Sequence, residues 1–91
     1  MELLHEKNRV FCKDECGTVT AEVTFPEGMD GTVIINHTFV DESLRGQGVA
    51  GRLLTEAAAQ LRQEGRKARP TCSYAVGWFE KHPEYADILA K

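Results

Sequence analysis

A glycine-rich stretch, Leu44–Leu54 (LRGQGVAGRLL), carries the clearest chemical signal in the sequence. Gly46, Gly48 and Gly51 form the pattern G-x-G-x-x-G, and Arg45 precedes them. Such a turn at the start of a helix binds phosphate, because the first helical N–H groups have no intrahelical partner and the helix dipole favours negative charge there. Glycine lets phosphate oxygens approach the backbone, and the Arg45 guanidinium adds a planar set of donors. The stretch therefore predicts a phosphate-binding turn; the alternative is a turn that only begins a helix.

Two other side chains, His37 and Cys72, could take part in catalysis. A histidine can accept a proton near neutral pH. His37 lies in the stretch with the strongest strand signal, which predicts Ile35 and Phe39 on the same face. Cys72 lies where a predicted strand meets a predicted helix, and a thiol at a helix N-terminus can have its pKa lowered from about 8.5 to roughly 3.5–7.5. The alternatives are a structural histidine on a strand and a small apolar side chain in the core.

Alternating apolar residues predict that three strands position these groups. The strands are expected at Arg9–Lys13 (RVFCK), Thr18–Phe25 (TVTAEVTF) and Thr32–Val40 (TVIINHTFV). The last of them is rich in β-branched residues. Turn residues separate the strands at Asp14–Gly17 and Pro26–Gly31. Because short loops join consecutive strands, we expect an antiparallel meander.

Beyond the third strand, the spacing of apolar residues becomes helical. It predicts a helix over residues 47–64 that Gly65 ends, a short strand at Lys67–Thr71 and an aromatic helix at Ser73–Lys81. The order of elements is therefore β-β-β-α-β-α, and the crossover through the first helix makes two strands parallel. This order predicts an α/β fold with a mixed sheet, in which an antiparallel meander is followed by one parallel strand pair.

The same order argues against a dinucleotide-binding fold. That fold carries G-x-G-x-x-G in the first strand-to-helix turn of a series of βαβ units, with an acidic residue about 20 residues later. Here the pattern follows three antiparallel strands, and Glu64 comes too early, at the helix end. A Walker phosphate loop is excluded because no G-K-[ST] follows the glycines.

Length, charge and cysteine content exclude several classes of protein. The chain has 91 residues, enough for a single domain over residues 1–91, with 42% hydrophobic and 27% charged residues. Its net charge of −3 argues against a nucleic-acid partner, which favours basic proteins. No stretch is typical of a signal peptide or a membrane span, and the 3 cysteines fit neither a disulfide framework nor a paired metal site. We therefore expect a cytoplasmic monomer with no metal, nucleic-acid or membrane partner.

The glycine turn also resembles a known family. Arg45–Ala50 (RGQGVA) matches the R/Q-x-x-G-x-G/A motif of the GNAT superfamily of N-acetyltransferases, in which this turn holds the pyrophosphate of acetyl-coenzyme A. The stretches NHTFVDESLRGQGVAGRLL and PTCSYAVGWFEKHPEYADIL are similar to the two blocks that mark the small, single-domain branch of that family, and the resemblance covers residues 9–89. The chain lacks the extra helices and the final strand pair with which larger members shape their acceptor pocket. The acceptor therefore does not follow from the resemblance.

The resemblance implies which residues bind acetyl-coenzyme A. The strand that ends at Val40 and the strand at Lys67–Thr71 would be parallel and would splay apart, so that the pantetheine arm lies in the gap. Pro70 agrees with an edge position there, because proline cannot donate to a neighbouring strand. The implied coenzyme-binding residues are Phe39, Val40, Arg45, Gly46, Gln47, Gly48, Val49, Ala50, Gly51 and Tyr74.

The resemblance further implies an acetyl-coenzyme A-dependent N-acetyltransferase whose acceptor is a small-molecule or peptide amine. In a direct route, His37 takes the amine proton while the acetyl group leaves coenzyme A. In a covalent route, Cys72 accepts the acetyl group first and His37 lowers its pKa. We expect both residues to line the acetyl pocket. Two alternatives stay open: a coenzyme A-binding module without catalysis, and a dinucleotide domain that NAD rather than coenzyme A would stabilise.

Overall fold

Residues 2–90, which a computed structural model describes, form six strands and two α-helices. The strands are β1 (Leu4–Glu6), β2 (Arg9–Lys13), β3 (Val19–Thr24), β4 (Val33–Ile35), β5 (His37–Val40) and β6 (Ala68–Pro70). The α-helices are α1 (Val49–Glu64) and α2 (Ser73–Lys81), and 3-10 turns lie at Met29–Gly31, Glu42–Leu44 and Pro83–Ile88. The predicted α/β class is confirmed. Two details differ, because β1 precedes the meander and the third predicted strand is divided into β4 and β5.

The larger sheet is antiparallel and has the strand order β1-β2-β3-β5. On the face toward the core, Val10 and Cys12 of β2, and Ala21 and Val23 of β3, are at most 2% exposed. Burial alternates along β3 as predicted, but in β2 Phe11 is buried on the opposite face too, where the Arg9 guanidinium lies over its ring. The sequence does not predict β1, since three residues are too few for an alternating pattern. β1 pairs with β2 along its whole length. The antiparallel meander is therefore confirmed, with β1 as an added edge strand.

A β-bulge at Asn36 divides β4 from β5. The Asn36 N–H donates to the Thr24 carbonyl at 3.3 Å, and His37 is also paired with Thr24, so two residues face one. One extra residue exchanges the faces of the strand, because strand side chains alternate with a period of two. Ile35 is fully buried, whereas His37 and Phe39 are exposed. The prediction that Ile35 shares the face of His37 is therefore wrong.

β4 and β6 form a parallel pair, as the crossover predicts. The register ends with Ile35 opposite Pro70. Beyond this point, the N–H groups of Thr71 and Cys72 both donate to the Ile35 carbonyl, at 3.0 and 3.3 Å. β5 then continues in the larger sheet while the chain after β6 enters α2, so the two strands part. Pro70 lies at the last pair, where its missing N–H costs little.

Both helices share one core with the sheets. α1 buries the predicted apolar stripe, Val49, Leu53, Leu54, Ala57, Ala58 and Leu61. α2 buries Ala75, Trp78 and Phe79. α1 begins two residues later than predicted, because Gly48 adopts a left-handed φ of 72°, and it ends at the predicted Gly65. None of the helices within residues 2–90 has the length and apolar content needed to cross a bilayer.

Candidate active site

A 3-10 turn joins β5 to the glycine turn and so determines where α1 begins. The Asp41 carboxylate accepts hydrogen bonds from the Ser43 hydroxyl at 2.5 Å and from the Ser43 N–H at 3.0 Å. The hydroxyl bond is the main reason that the pKa of Asp41 is lowered, and the charge of Arg45 adds to it. The Arg45 N–H donates to the Glu42 carbonyl at 3.2 Å. The N–H groups of Ser43, Leu44 and Arg45 are therefore all hydrogen-bonded within this turn.

The backbone N–H groups of residues 46–51 come next along the chain. Gly46 and Gly48 have left-handed φ of 85° and 72°, which turn the chain sharply into α1. The first helical hydrogen bond runs from the Arg52 N–H to the Gly48 carbonyl at 3.1 Å. Within residues 2–90, none of the N–H groups of residues 46–51 donates a hydrogen bond to a backbone carbonyl. The start of α1 therefore presents a row of donors together with the positive end of the helix dipole.

A groove leads from this turn between α1 and α2. Two adjoining depressions of about 360 Å³ each share Gly51, Trp78 and His82. Their other lining residues are Gly48, Arg52, Thr55 and Glu56 in the first, and Ser73, Tyr74, Gly77 and Lys81 in the second. The His82 ring stacks on Trp78, with the ring centroids 4.3 Å apart. Tyr74 lies across from Gly51, since a Cβ on Gly51 would be 3.9 Å from the Tyr74 hydroxyl oxygen.

Three cations lie at the turn and the groove. Arg52 and Lys81 line the groove, and Arg45 precedes the turn. None of the three forms an ion pair in the described part of the chain, whereas Lys7, Arg9, Arg62, Arg66 and Arg69 all do. The net charge of the chain is −3. Two unpaired cations that line one groove of such a chain favour an anionic ligand there.

A larger cavity, of about 560 Å³, lies between β1 and α1. Three of its polar side chains are paired with one another, because the His5 ring lies 2.5 Å from the Gln60 Oε1 atom and 2.8 Å from the Glu56 Oε1 atom. It contains none of the predicted site residues, so cavity size alone does not identify the site. Over residues 2–90, no group of three or more His, Cys, Asp or Glu side chains is arranged to hold a metal ion.

Cys72 lies at the predicted junction of β6 and α2, where it is the N-cap of α2. Its Sγ accepts a hydrogen bond from the Ala75 N–H at 3.4 Å. The Thr38 hydroxyl of β5 lies 3.5 Å from the same sulfur. Cys72 and Thr38 are both partly exposed, so a ligand between β5 and α2 could reach the sulfur. The other thiols differ, since Cys12 is buried and Cys16 is exposed on a turn.

His37 precedes Thr38 but lies on the other face of β5. Thr38 is paired with Val23, whose side chain is buried in the core, whereas His37 is paired with Thr24 and is exposed. Phe39, which is 38% exposed, shares the face of His37. Among residues 2–90, no hydrogen bond joins His37 to Cys72. The bulge therefore separates the two predicted catalytic residues onto the two faces of one strand.

The predicted coenzyme-binding residues form two groups. Gly46–Gly51 form the glycine turn and the start of α1, and Tyr74 lines the groove together with Gly48 and Gly51. Phe39 and Val40 lie at the end of β5. The Val49 side chain is 2% exposed, so its backbone alone can contact a ligand at the turn.

Thr38, Arg52 and His82 lie at the site, but the sequence did not identify them as site residues. For Arg52 and His82, the spacing along the helix could have indicated a place at the site. Arg52 is four residues after Gly48, and His82 is four residues after Trp78, so each lies on the same helix face as a groove residue. Thr38 had no such signal, because its face depends on the bulge.

Solved structures with the same fold include several acetyltransferases. A GCN5-like protein of Staphylococcus aureus, studied by NMR, is 29% identical, with a TM-score of 0.79 over 98% of this chain and 87% of its own. An acetyltransferase of Bacillus cereus is 25% identical, with a TM-score of 0.63, and the match covers 89% of this chain and 56% of that protein. An Agrobacterium tumefaciens protein, 24% identical with a TM-score of 0.63, shares the fold over 88% of this chain and 57% of its own. A comparison with curated protein sequences gives no match.

The family model of the GCN5-related N-acetyl-transferases matches residues 9–88. The matched region includes the glycine turn, both helices that form the groove, His37 and Cys72. It also includes both members of the parallel pair, β4 and β6. Because the match extends over most of the chain, the chain belongs to the GCN5-related N-acetyltransferase family.

Proposed function

We propose that the protein is an acetyl-coenzyme A-dependent N-acetyltransferase that transfers the acetyl group to an amine. Family membership supports acetyl transfer. The observation that carries the choice of coenzyme is the row of free N–H groups at residues 46–51. A helix N-terminus with close backbone approach is a favourable place for a pyrophosphate, and coenzyme A contains one.

Charge and strand pairing support the same ligand. Arg45 would add a planar donor fork at the pyrophosphate, while Arg52 and Lys81 would bring positive charge to the groove. β5 is an edge strand of the larger sheet as described, so one row of its backbone groups has no strand partner. The amide groups of the pantetheine arm could pair with that row beside Phe39 and Val40. The thioester would then lie near Cys72.

Cys72 is the proposed nucleophile of a covalent route. Its thiolate would form a bond to the acetyl carbon while the bond from that carbon to the coenzyme A sulfur breaks, and coenzyme A would leave as a thiolate. The acceptor amine would next form a bond to the acetyl carbon and lose a proton, which returns Cys72 to its thiolate. The Ala75 N–H at the start of α2 donates to this sulfur at 3.4 Å and would help to hold it toward the acetyl carbon.

His37 is the proposed base for the acceptor. His37 and Phe39 lie on the open face of the larger sheet, so an amine that approaches from this face would meet the imidazole. Because His37 and Cys72 lie on opposite faces of β5, His37 would take the amine proton through an intervening water molecule. In the direct route, the amine attacks the acetyl carbon while that carbon is still bound to coenzyme A.

Mass spectrometry after incubation with acetyl-coenzyme A, first alone and then with amines, polyamines and peptides, tests the proposal. We expect acetylation of at least one amine. An added acetyl group on the wild type and on Cys16→Ser, but not on Cys72→Ala or Cys72→Ser, would support the covalent route. Full turnover in Cys72→Ala together with loss in His37→Ala would leave the direct route. Normal turnover in both alanine variants would remove both residues from catalysis.

Binding can be tested separately from chemistry. If the pyrophosphate lies on the turn, amide chemical shifts of residues 45–51 should change most when coenzyme A is added. Binding with no turnover over the amine panel would make the protein a coenzyme A-binding module. Changes confined to residues outside the turn and the groove would contradict the proposed site.

A further inference from the structure

We infer that Thr38 is a positioning residue that orients the Cys72 sulfur through a side-chain hydrogen bond, whereas the sequence alone suggests His37 as the partner of this sulfur. The inference rests on the proposed function in one respect, namely that Cys72 lies in the acetyl pocket. It concerns a contact between two side chains on different elements, β5 and the start of α2, and this contact bridges the place where the parallel strands part.

Two donors converge on one sulfur. The Ala75 N–H lies 3.4 Å from Cys72 Sγ, and the Thr38 hydroxyl lies 3.5 Å from it on the side of β5. When the sulfur carries a proton, either group of the Thr38–Cys72 pair can donate. When the proton has left for solvent, the sulfur only accepts, and both donors point to it. Hydrogen bonds to a charged group are stronger than those between neutral groups, so the two donors would hold the sulfur in place most firmly when it acts as the nucleophile.

The strand geometry gives this role to Thr38 and not to its neighbour. The bulge at Asn36 turns Thr38 toward the core side of β5, where it is paired with Val23, and turns His37 to the open face. A regular strand from residue 32 to residue 40 would put His37 on the inner face instead. Cys72 and His37 therefore lie on opposite sides of the strand: the sulfur meets Thr38 on the inner side, and the imidazole is exposed on the open side.

The three cysteines of the chain allow a direct test by alkylation with iodoacetamide, followed by mass spectrometry of the peptides. Cys72 reports on the contact, exposed Cys16 is an internal reference for reagent activity, and buried Cys12 reports unfolding. Thr38→Val removes the hydroxyl and keeps the shape of the side chain, and Thr38→Ser restores the hydroxyl. We expect the ratio of the Cys72 rate to the Cys16 rate at neutral pH to fall about three- to tenfold in Thr38→Val. It should stay within about twofold of wild type in Thr38→Ser.

An unchanged ratio in Thr38→Val, or an equal fall in Thr38→Ser, would overturn the inference. If Cys12 becomes reactive in Thr38→Val, that variant has opened, and Thr38→Ala read in the same way decides the question. The assay contains no acetyl-coenzyme A, so its outcome is independent of the proposed function. If the alkylation ratio changes in a protein that neither binds nor uses acetyl-coenzyme A, the Thr38–Cys72 contact is supported and the proposed function is contradicted. If the ratio is unchanged in a protein that binds and uses acetyl-coenzyme A, the proposed function is supported and the inference about Thr38 is contradicted.

Discussion

Among single residues, Gly51 offers a test that the other turn glycines do not. Gly46 and Gly48 have left-handed φ, so any side chain there strains the backbone whether or not a ligand binds. Gly51 is helical, and alanine in its place should stabilise α1 by up to about 1 kcal/mol. Its methyl group would stand in the groove, 3.9 Å from the Tyr74 hydroxyl oxygen. We expect Gly51→Ala to raise the Tm and to weaken acetyl-coenzyme A binding in calorimetry; unchanged affinity would place the coenzyme outside the groove.

The unpaired cations give a second test at this scale. Arg52→Ala and Lys81→Ala each remove a charge that lines the groove. Because exposed charge pairs contribute roughly 0.2–1 kcal/mol, each variant should weaken coenzyme A binding by about two- to fivefold at low salt. The loss should shrink as salt screens the charges. Lys13→Ala is the matched control, since exposed Lys13 lies over Phe11 of β2 and lines neither depression of the groove. A loss of equal size in the control would indicate a general effect of net charge.

Among the elements, β1 is attached to α1 through His5. The ring Nδ1 lies 2.5 Å from the Gln60 Oε1 atom, and the ring Nε2 lies 2.8 Å from the Glu56 Oε1 atom. The Gln60 amide donates to the Glu6 carbonyl at 2.9 Å, which orients the Gln60 oxygen toward the ring. Only a protonated ring donates from both nitrogens. The bond to Gln60, and then the bond and charge of Glu56, raise the pKa of His5 above its ordinary value of 6.5.

Because folding raises this pKa, His5 stabilises the protein fully below about pH 6.5, and the contribution is lost as the pH rises through the folded-state pKa. We expect the Tm difference between wild type and His5→Ala to be largest in mildly acidic buffer and to shrink at mildly alkaline pH. Glu56→Gln keeps an oxygen acceptor but removes the charge, so it should flatten this pH dependence. A difference that grows with pH would contradict the attachment described here.

For the whole molecule, coenzyme binding should produce a global stabilisation, because the helices that form the groove share one core with the sheets. A ligand at about 100 times its Kd stabilises the folded state by about 2.7 kcal/mol. For a chain of this length, that energy corresponds to a rise in Tm of roughly 10–20 °C. We expect acetyl-coenzyme A to give such a rise and NAD at the same concentration to give none. An equal rise with NAD would restore the dinucleotide alternative.

Local chemistry made much of the fold predictable. β2 lies at its predicted bounds, β3 follows the alternation of its apolar residues, and α1 follows a single apolar stripe that ends before Gly65. β1 was missed because three residues carry no period, and its place depends on pairing with β2 and on the bonds from α1. The division of residues 32–40 into two strands was missed because it depends on tertiary pairing. The first part, β4, pairs with β6, the second part, β5, pairs with β3, and the bulge lies where the pairing partner changes.

The sequence by itself determined the glycine turn, the position of Cys72 at the start of α2 and the family, because a turn, a cap and a motif depend on neighbours in the chain. The tertiary structure alone decided which side chain meets Cys72. One extra residue at Asn36 exchanges the faces of β5, so Thr38 contacts the sulfur and His37 faces the other way. The groove is likewise a tertiary feature, since its two walls belong to helices that meet only when α1 and α2 pack on the same core.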